Sequence, residues 1–161
     1  MFILSQQRDQ DPVGSFQRYR EYLKRHQEEF PRGAFSLATS DWWFSLDDRR
    51  SPHDAWLERF EILEVGSGDR SAERATGVRV ELLGAFHDMD LTLVYSGVSG
   101  LRLDAVAIAD GHHDWRYDEF RISDEGRLIH EIEWSYLAST ARWRIEADDV
   151  EYFAEPRQRA T

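Results

Sequence analysis

The dipeptide His-Asp occurs three times within 62 residues, at His53-Asp54, His87-Asp88 and His113-Asp114, the last preceded by His112. Chance ordering of the same composition gives fewer than one such pair. Imidazole nitrogen and carboxylate oxygen bind zinc, iron or manganese, and the same two groups supply general acid-base catalysis. His53, Asp54, His87, Asp88, His112, His113 and Asp114 therefore form the candidate polar binding site. No catalytic residue and no metal ligand set is assigned among them. Neither His-Glu-x-x-His nor His-x-His is present, and metal-dependent phosphohydrolases with a His-Asp motif carry it on helices. The plainer alternative is that Asp and His at turns bond to local backbone groups.

The elements that would position these pairs read as strands. Val78, Val80, Leu82 and Phe86 alternate with Arg79 and Glu81; Leu91, Leu93 and Tyr95 alternate with Asp90 and Thr92; Leu101 and Leu103 alternate with Arg102 and Asp104. Leu128, His130, Ile132 and Trp134 oppose Glu131 and Glu133. Ala141, Trp143 and Ile145 oppose Arg142, Arg144 and Glu146, and Val150, Tyr152 and Ala154 make a last strand. Breaks at 66–77, at His87-Asp88 and at 96–100, 110–114, 123–126, 135–139 and 148–149 separate about eight strands. Gly66-Ser67-Gly68 has the composition of a hairpin loop.

Connections this short favour antiparallel neighbours. The expectation is a single α+β domain over 1–161, mainly β: an antiparallel meander, curled or partly closed, over 55–154. An amphipathic helix over 12–30 packs on it, opened by Asp11-Pro12, patterned by Phe16, Tyr19, Leu23, His26 and Phe30 and stopped by Pro31. A second helical piece over 32–39 precedes Trp42-Trp43-Phe44, which reads as an edge strand or as an anchor between helix and sheet. In an up-and-down sheet the three His-Asp pairs fall at one end, where Ser135 to Ser139, with Tyr136, joins them. His130, on the apolar face of its strand, reads as a satisfied core histidine. Asp118 and Glu119, adjacent on a strand, must point to opposite faces unless a bulge intervenes.

Composition excludes several classes. The chain has no Cys, so disulfides, thiolate nucleophiles and Cys-ligated zinc are ruled out, and no cofactor is expected. Its net charge of −11 is uneven, with −2 over residues 1–80 and −9 over 81–161. The second half repels phosphate backbones, which argues against nucleic acid, and the same field would draw in a basic protein partner; the plainer alternative is that an acidic surface keeps the chain soluble. Met1-Phe2-Ile3-Leu4 is too short for a signal-peptide core, and nothing approaches a membrane span, so a cytoplasmic protein is the default expectation.

Four stretches carry a resemblance: Pro52-His53-Asp54-Ala55-Trp56-Leu57-Glu58, Leu83-Gly84-Ala85-Phe86-His87-Asp88, Gly111-His112-His113-Asp114-Trp115-Arg116-Tyr117-Asp118-Glu119 and His130-Glu131-Ile132-Glu133-Trp134. Together, over about residues 50–153, the chain resembles a group of small uncharacterised bacterial proteins, some of them similar to immunity proteins of polymorphic toxin systems. The resemblance brings no activity and no ligands. It implies a stand-alone β-rich cytoplasmic protein that, if immunity-like, binds and blocks a toxin.

The leading expectation is a non-enzymatic binding protein, in its sharpest form an acidic immunity-type protein that occupies a toxin's basic cleft. The rival is a metal-assisted hydrolase or small-ligand binder using the His-Asp rim. A third reading, an apolar or sugar ligand at the mouth of the curled sheet, requires a cavity that an interior filled by Trp134, Trp143, Leu93 and Phe86 would not leave.

Overall fold

The computed structural model describes residues 1–66, 74–104, 111–137 and 139–158. The Gly66-Ser67-Gly68 loop and the start of the break before His112 lie partly outside them. Helix α1 (Pro12–Arg25) is capped by Asp11, whose carboxylate accepts from the Gly14 amide at 2.9 Å, with Pro12 at the first helical position. It is shorter than the 12–30 expected: the backbone leaves helical geometry at His26, and a single 3-10 turn over Gln27–Glu29 follows. That turn swings Phe30 inward to be buried, and Pro31 then leads into α2 (Arg32–Ala38), which packs on the last strand.

Eight strands form one antiparallel sheet that is not closed: β1 (Trp56–Val65), β2 (Ala75–Leu83), β3 (Met89–Ser96), β4 (Gly100–Leu103), β5 (Asp114–Ile122), β6 (Leu128–Tyr136), β7 (Ser139–Ala147) and β8 (Asp149–Pro156). Their order is β4-β7-β6-β5-β1-β2-β3-β8. Order is sequential within β1-β2-β3 and within β5-β6-β7, and only β4 and β8 depart from it. The cause is a corner. β3 runs into β4 through Gly97, β7 runs into β8 through Asp148, and the two bent strands pair with each other on both sides of the bend, Ser96 with Asp149 and Gly100 with Glu146. Gly97 has φ +57°, where glycine is least strained, and a Cβ there would have to displace the Asp148 carboxylate from this crossing.

The two halves of the sheet face each other across the core. Val78, Val80, Leu82, Leu91, Leu93 and Tyr95 come from one half; Trp115, Phe120, Ile132, Trp134, Trp143 and Ile145 come from the other. Trp134 lies 4.9 Å from Trp143 and 5.4 Å from Trp115, ring centre to ring centre, and these rings with Leu93 fill the interior. Phe86 is not among them. β2 ends at Leu83, so the alternation stops at the Gly84 turn and Phe86 is 49% exposed.

Across the seam between the halves, β1 and β5 form one ladder pair, Trp56 with Asp114. Beyond it α1 stands in for a neighbouring strand: Tyr19 Oη accepts from the Phe120 amide at 2.7 Å and donates to the Phe120 carbonyl at 3.0 Å, and Tyr22 Oη accepts from the Ile122 amide at 2.9 Å.

Asp118 and Glu119 point to opposite faces, and both are buried. Glu119 accepts from the amides of Phe2 and Leu4 on the outer face, where Ile3 and Leu4 are also buried. Asp118 lies in the core. Its carboxylate accepts from Trp43 Nε1 at 2.9 Å, Trp115 Nε1 at 3.2 Å and His130 Nε2 at 3.0 Å, and His130 Nδ1 meets Tyr95 Oη at 2.7 Å. His130 is thus the satisfied core histidine its strand position suggests. Trp43 is an anchor in a turn rather than an edge strand, nailing the segment after α2 to β5.

Candidate functional site at the His-Asp end of the sheet

Strand register brings the three His-Asp pairs to one end. His53-Asp54 immediately precedes β1, His87-Asp88 forms the β2-β3 turn, and His113-Asp114 opens β5, with Trp56 paired to both Leu83 and Asp114 and Asp114 paired to Ser135. Asp54 and His87 both have positive φ, +60° and +57°. Asp, Asn and His enter that region more readily than other side chains do, so part of the motif's residue choice is turn geometry.

Around Asp54 the groups converge. His53 Nδ1 stands 3.1 Å from Asp54 Oδ2, and Arg116 Nη1 stands 3.3 Å from Asp54 Oδ1. His53 is only 11% exposed along its side chain, and its Nε2 is buried without a partner. Burial pushes its pKa down against the pull of Asp54, so the ring is neutral at neutral pH. Asp114 is shifted the other way: burial first and the Asp54 charge second raise its carboxyl, with His113, the Trp56 indole and Arg116 partly opposing them. The two carboxylates, with Arg116, Ser135, Tyr136 and Leu137, line a shallow recess of about 400 Å³.

The remaining residues are drawn elsewhere. The His87 ring packs edge-on against Trp56 at 4.3 Å. Asp88 pairs with Arg49, and its carbonyl accepts from the Arg157 amide. His112 turns inward between Trp134 (4.6 Å) and Trp143 (5.3 Å); its Nδ1 lies 3.0 Å from the His113 carbonyl, and burial holds its pKa low. His113 is buried beside Tyr136. Among the described residues no group of three or more His, Asp and Glu is placed to hold a metal ion.

The same end exposes large apolar side chains: Trp56 at 48%, Phe86 at 49%, Tyr136 at 43% and Leu137 at 89%. Trp56 and Phe86 adjoin the His-Asp pairs in sequence, but the alternation of their neighbours gives no sign that they are exposed. Leu137 alone offers a signal in sequence, since a large apolar residue between two strands spaced for a tight turn has no core to enter, and here it sits at φ +53°.

Fold and site together define a small mainly-β protein with a polar-aromatic rim at one end of its sheet. No protein-family model matches the chain, and searches of curated proteins and of solved structures return no match. No described helix is long and apolar enough to cross a membrane.

Proposed function

We propose that the chain is a non-enzymatic binding protein that engages another protein through the His-Asp end of its sheet, and that the partner's contacting surface is basic. The observation that carries this reading is the exposure of Tyr136 and Leu137 beside the Asp54–Asp114 carboxylates, with Trp56 and Phe86 exposed at the same end of the sheet. Aromatic residues flanked by charge are what binding surfaces concentrate, and Leu137, 89% exposed, has no core to enter in the free chain. Most of the imidazoles at this end are committed to rings and backbone of their own chain, so the rim offers contact area and negative charge rather than a reacting centre. The −9 balance of residues 81–161 would draw a cationic surface toward it. In its sharpest form the partner is a toxin whose basic cleft is blocked, as the resemblance to immunity-type proteins implies.

The test is affinity capture with wild-type chain and with a Trp56→Ala/Leu137→Ala variant, the captured proteins being identified by mass spectrometry. The reading expects a basic protein retained by the wild type and lost by the variant. Retention of the same partner by the variant, or a partner that is itself acidic, contradicts it.

A further inference from the structure

The helical layer carries a feature of its own. Among the described residues, 14 of the 18 Arg and Lys side chains lie within 4 Å of a carboxylate. The other four, Arg20, Lys24, Arg25 and Arg32, all belong to α1 and α2. In a chain of net charge −11, the cations without a described counter-ion are thus collected in one 13-residue stretch.

Two of them face a groove. Arg20 and Lys24, one helical turn apart on α1, line a cleft of about 530 Å³ whose apolar surface comes from Phe16, Leu23, Phe35 and Phe44. Thr39, Ser40 and Asp41 also line it, so one carboxylate shares the groove with the two cations. Like charges at this spacing repel by a few tenths of a kcal/mol, about 0.2–0.5 in isolated helices. Lys24 and Arg25 recover some of this from the carbonyl end of α1, but Arg20 stands before the last turn, where the helix dipole offers little. The volume lies in the range of small-molecule sites, about 300–1,000 Å³.

We propose that this groove binds a small organic anion with an apolar, ring-bearing body, its carboxylate paired with Arg20 and Lys24 and its body laid between Phe16, Phe35 and Phe44. The aromatic walls supply contact area, and the two cations supply the selection for charge. The site shares no lining residue with the Asp54–Asp114 recess. It stands or falls independently of the protein-binding reading.

The experiment is an amide-shift NMR titration of the full chain with 2-naphthoate and with its neutral near-isostere 2-naphthamide. The proposal expects saturable shifts from naphthoate confined to residues 16–44, and naphthamide weaker by about tenfold or more, equivalent to about 1.4 kcal/mol. Arg20→Gln/Lys24→Gln should weaken naphthoate by a similar factor while leaving naphthamide unchanged, and Trp56→Ala/Leu137→Ala should bind as wild type. No saturable shift, equal affinity for acid and amide, shifts centred outside 16–44, or full naphthoate affinity in the double Gln variant would each overturn it. Because the isostere comparison uses unaltered protein, the result does not depend on a variant folding.

Discussion

Tyr19 and Phe120 exchange two hydrogen bonds through one hydroxyl, which accepts from the Phe120 amide at 2.7 Å and donates to its carbonyl at 3.0 Å. A tyrosine on α1 therefore does at β5 what a neighbouring strand would do. The seam between the two halves of the sheet is closed by a helix side chain, which is why the helical layer is part of the sheet's architecture rather than a cover laid over it.

Tyr19→Phe removes the hydroxyl while keeping the buried ring. Both backbone groups of Phe120 are left unpaired in a dry environment, and each buried orphan costs about 1–3 kcal/mol. Urea unfolding should show a loss in that range, with faster hydrogen exchange at the Phe120 amide. Tyr22→Phe, at a half-buried position with one such bond, should cost less.

Asp118→Asn tests the core network. The carboxylate accepts from Trp43, Trp115 and His130, and an amide that keeps the shape turns an NH₂ toward at least one of those donors. The expected loss is about 2–4 kcal/mol by chemical denaturation, in the range seen when one member of a buried polar group is disrupted. The near-ultraviolet signal of the tryptophans should change with it.

Stability should fall as pH drops below about 6.5, the ordinary histidine value. His53 and His112 have folded pKa values below that value because burial disfavours their charged forms. Between about 6.5 and those lower values the unfolded chain binds the protons first, so the stabilisation present at neutral pH is lost on acidification. Denaturant midpoints measured at neutral pH and near pH 5.5 should differ, and His53→Gln/His112→Gln should flatten the difference.

Asp114 has the opposite sign. Its raised carboxyl pKa means the unfolded chain ionises first as pH rises above about 3.8, so the ionised group subtracts from stability at neutral pH. Asp114→Asn should raise the thermal midpoint slightly at neutral pH and lose that gain in acid. If the rim contacts a basic partner, the same variant should bind it more weakly: more stable and less active.

Much of this was legible in the sequence. Period-two alternation located β2, β3, β6 and β7, and Asp11-Pro12 marked the start of α1, because those signals are local. The exchange of β4 and β8 was not legible. It depends on Gly97 and Asp148 meeting at a corner, and two bent strands have the same local pattern as four straight ones. Tyr19 read only as part of an apolar face, since nothing in a helical spacing says that its hydroxyl reaches β5. The His-Asp pairs showed where one end of the sheet lies but not their separate fates. Those are set by rings distant in sequence: Trp56 for His87, Trp134 and Trp143 for His112.

The most direct test of the functional account is the affinity of the captured partner for wild type, for Trp56→Ala/Leu137→Ala and for Asp54→Asn/Asp114→Asn, each at low and high salt. Loss of the two apolar side chains should weaken binding by about 1,000-fold, as for two central interface residues worth about 2 kcal/mol each. Loss of the two charges should leave an affinity that salt reduces less steeply than it does for the wild type. Unchanged affinity in the Trp56–Leu137 variant, folded as judged by its amide spectrum, would contradict the assignment of this end of the sheet as the binding surface.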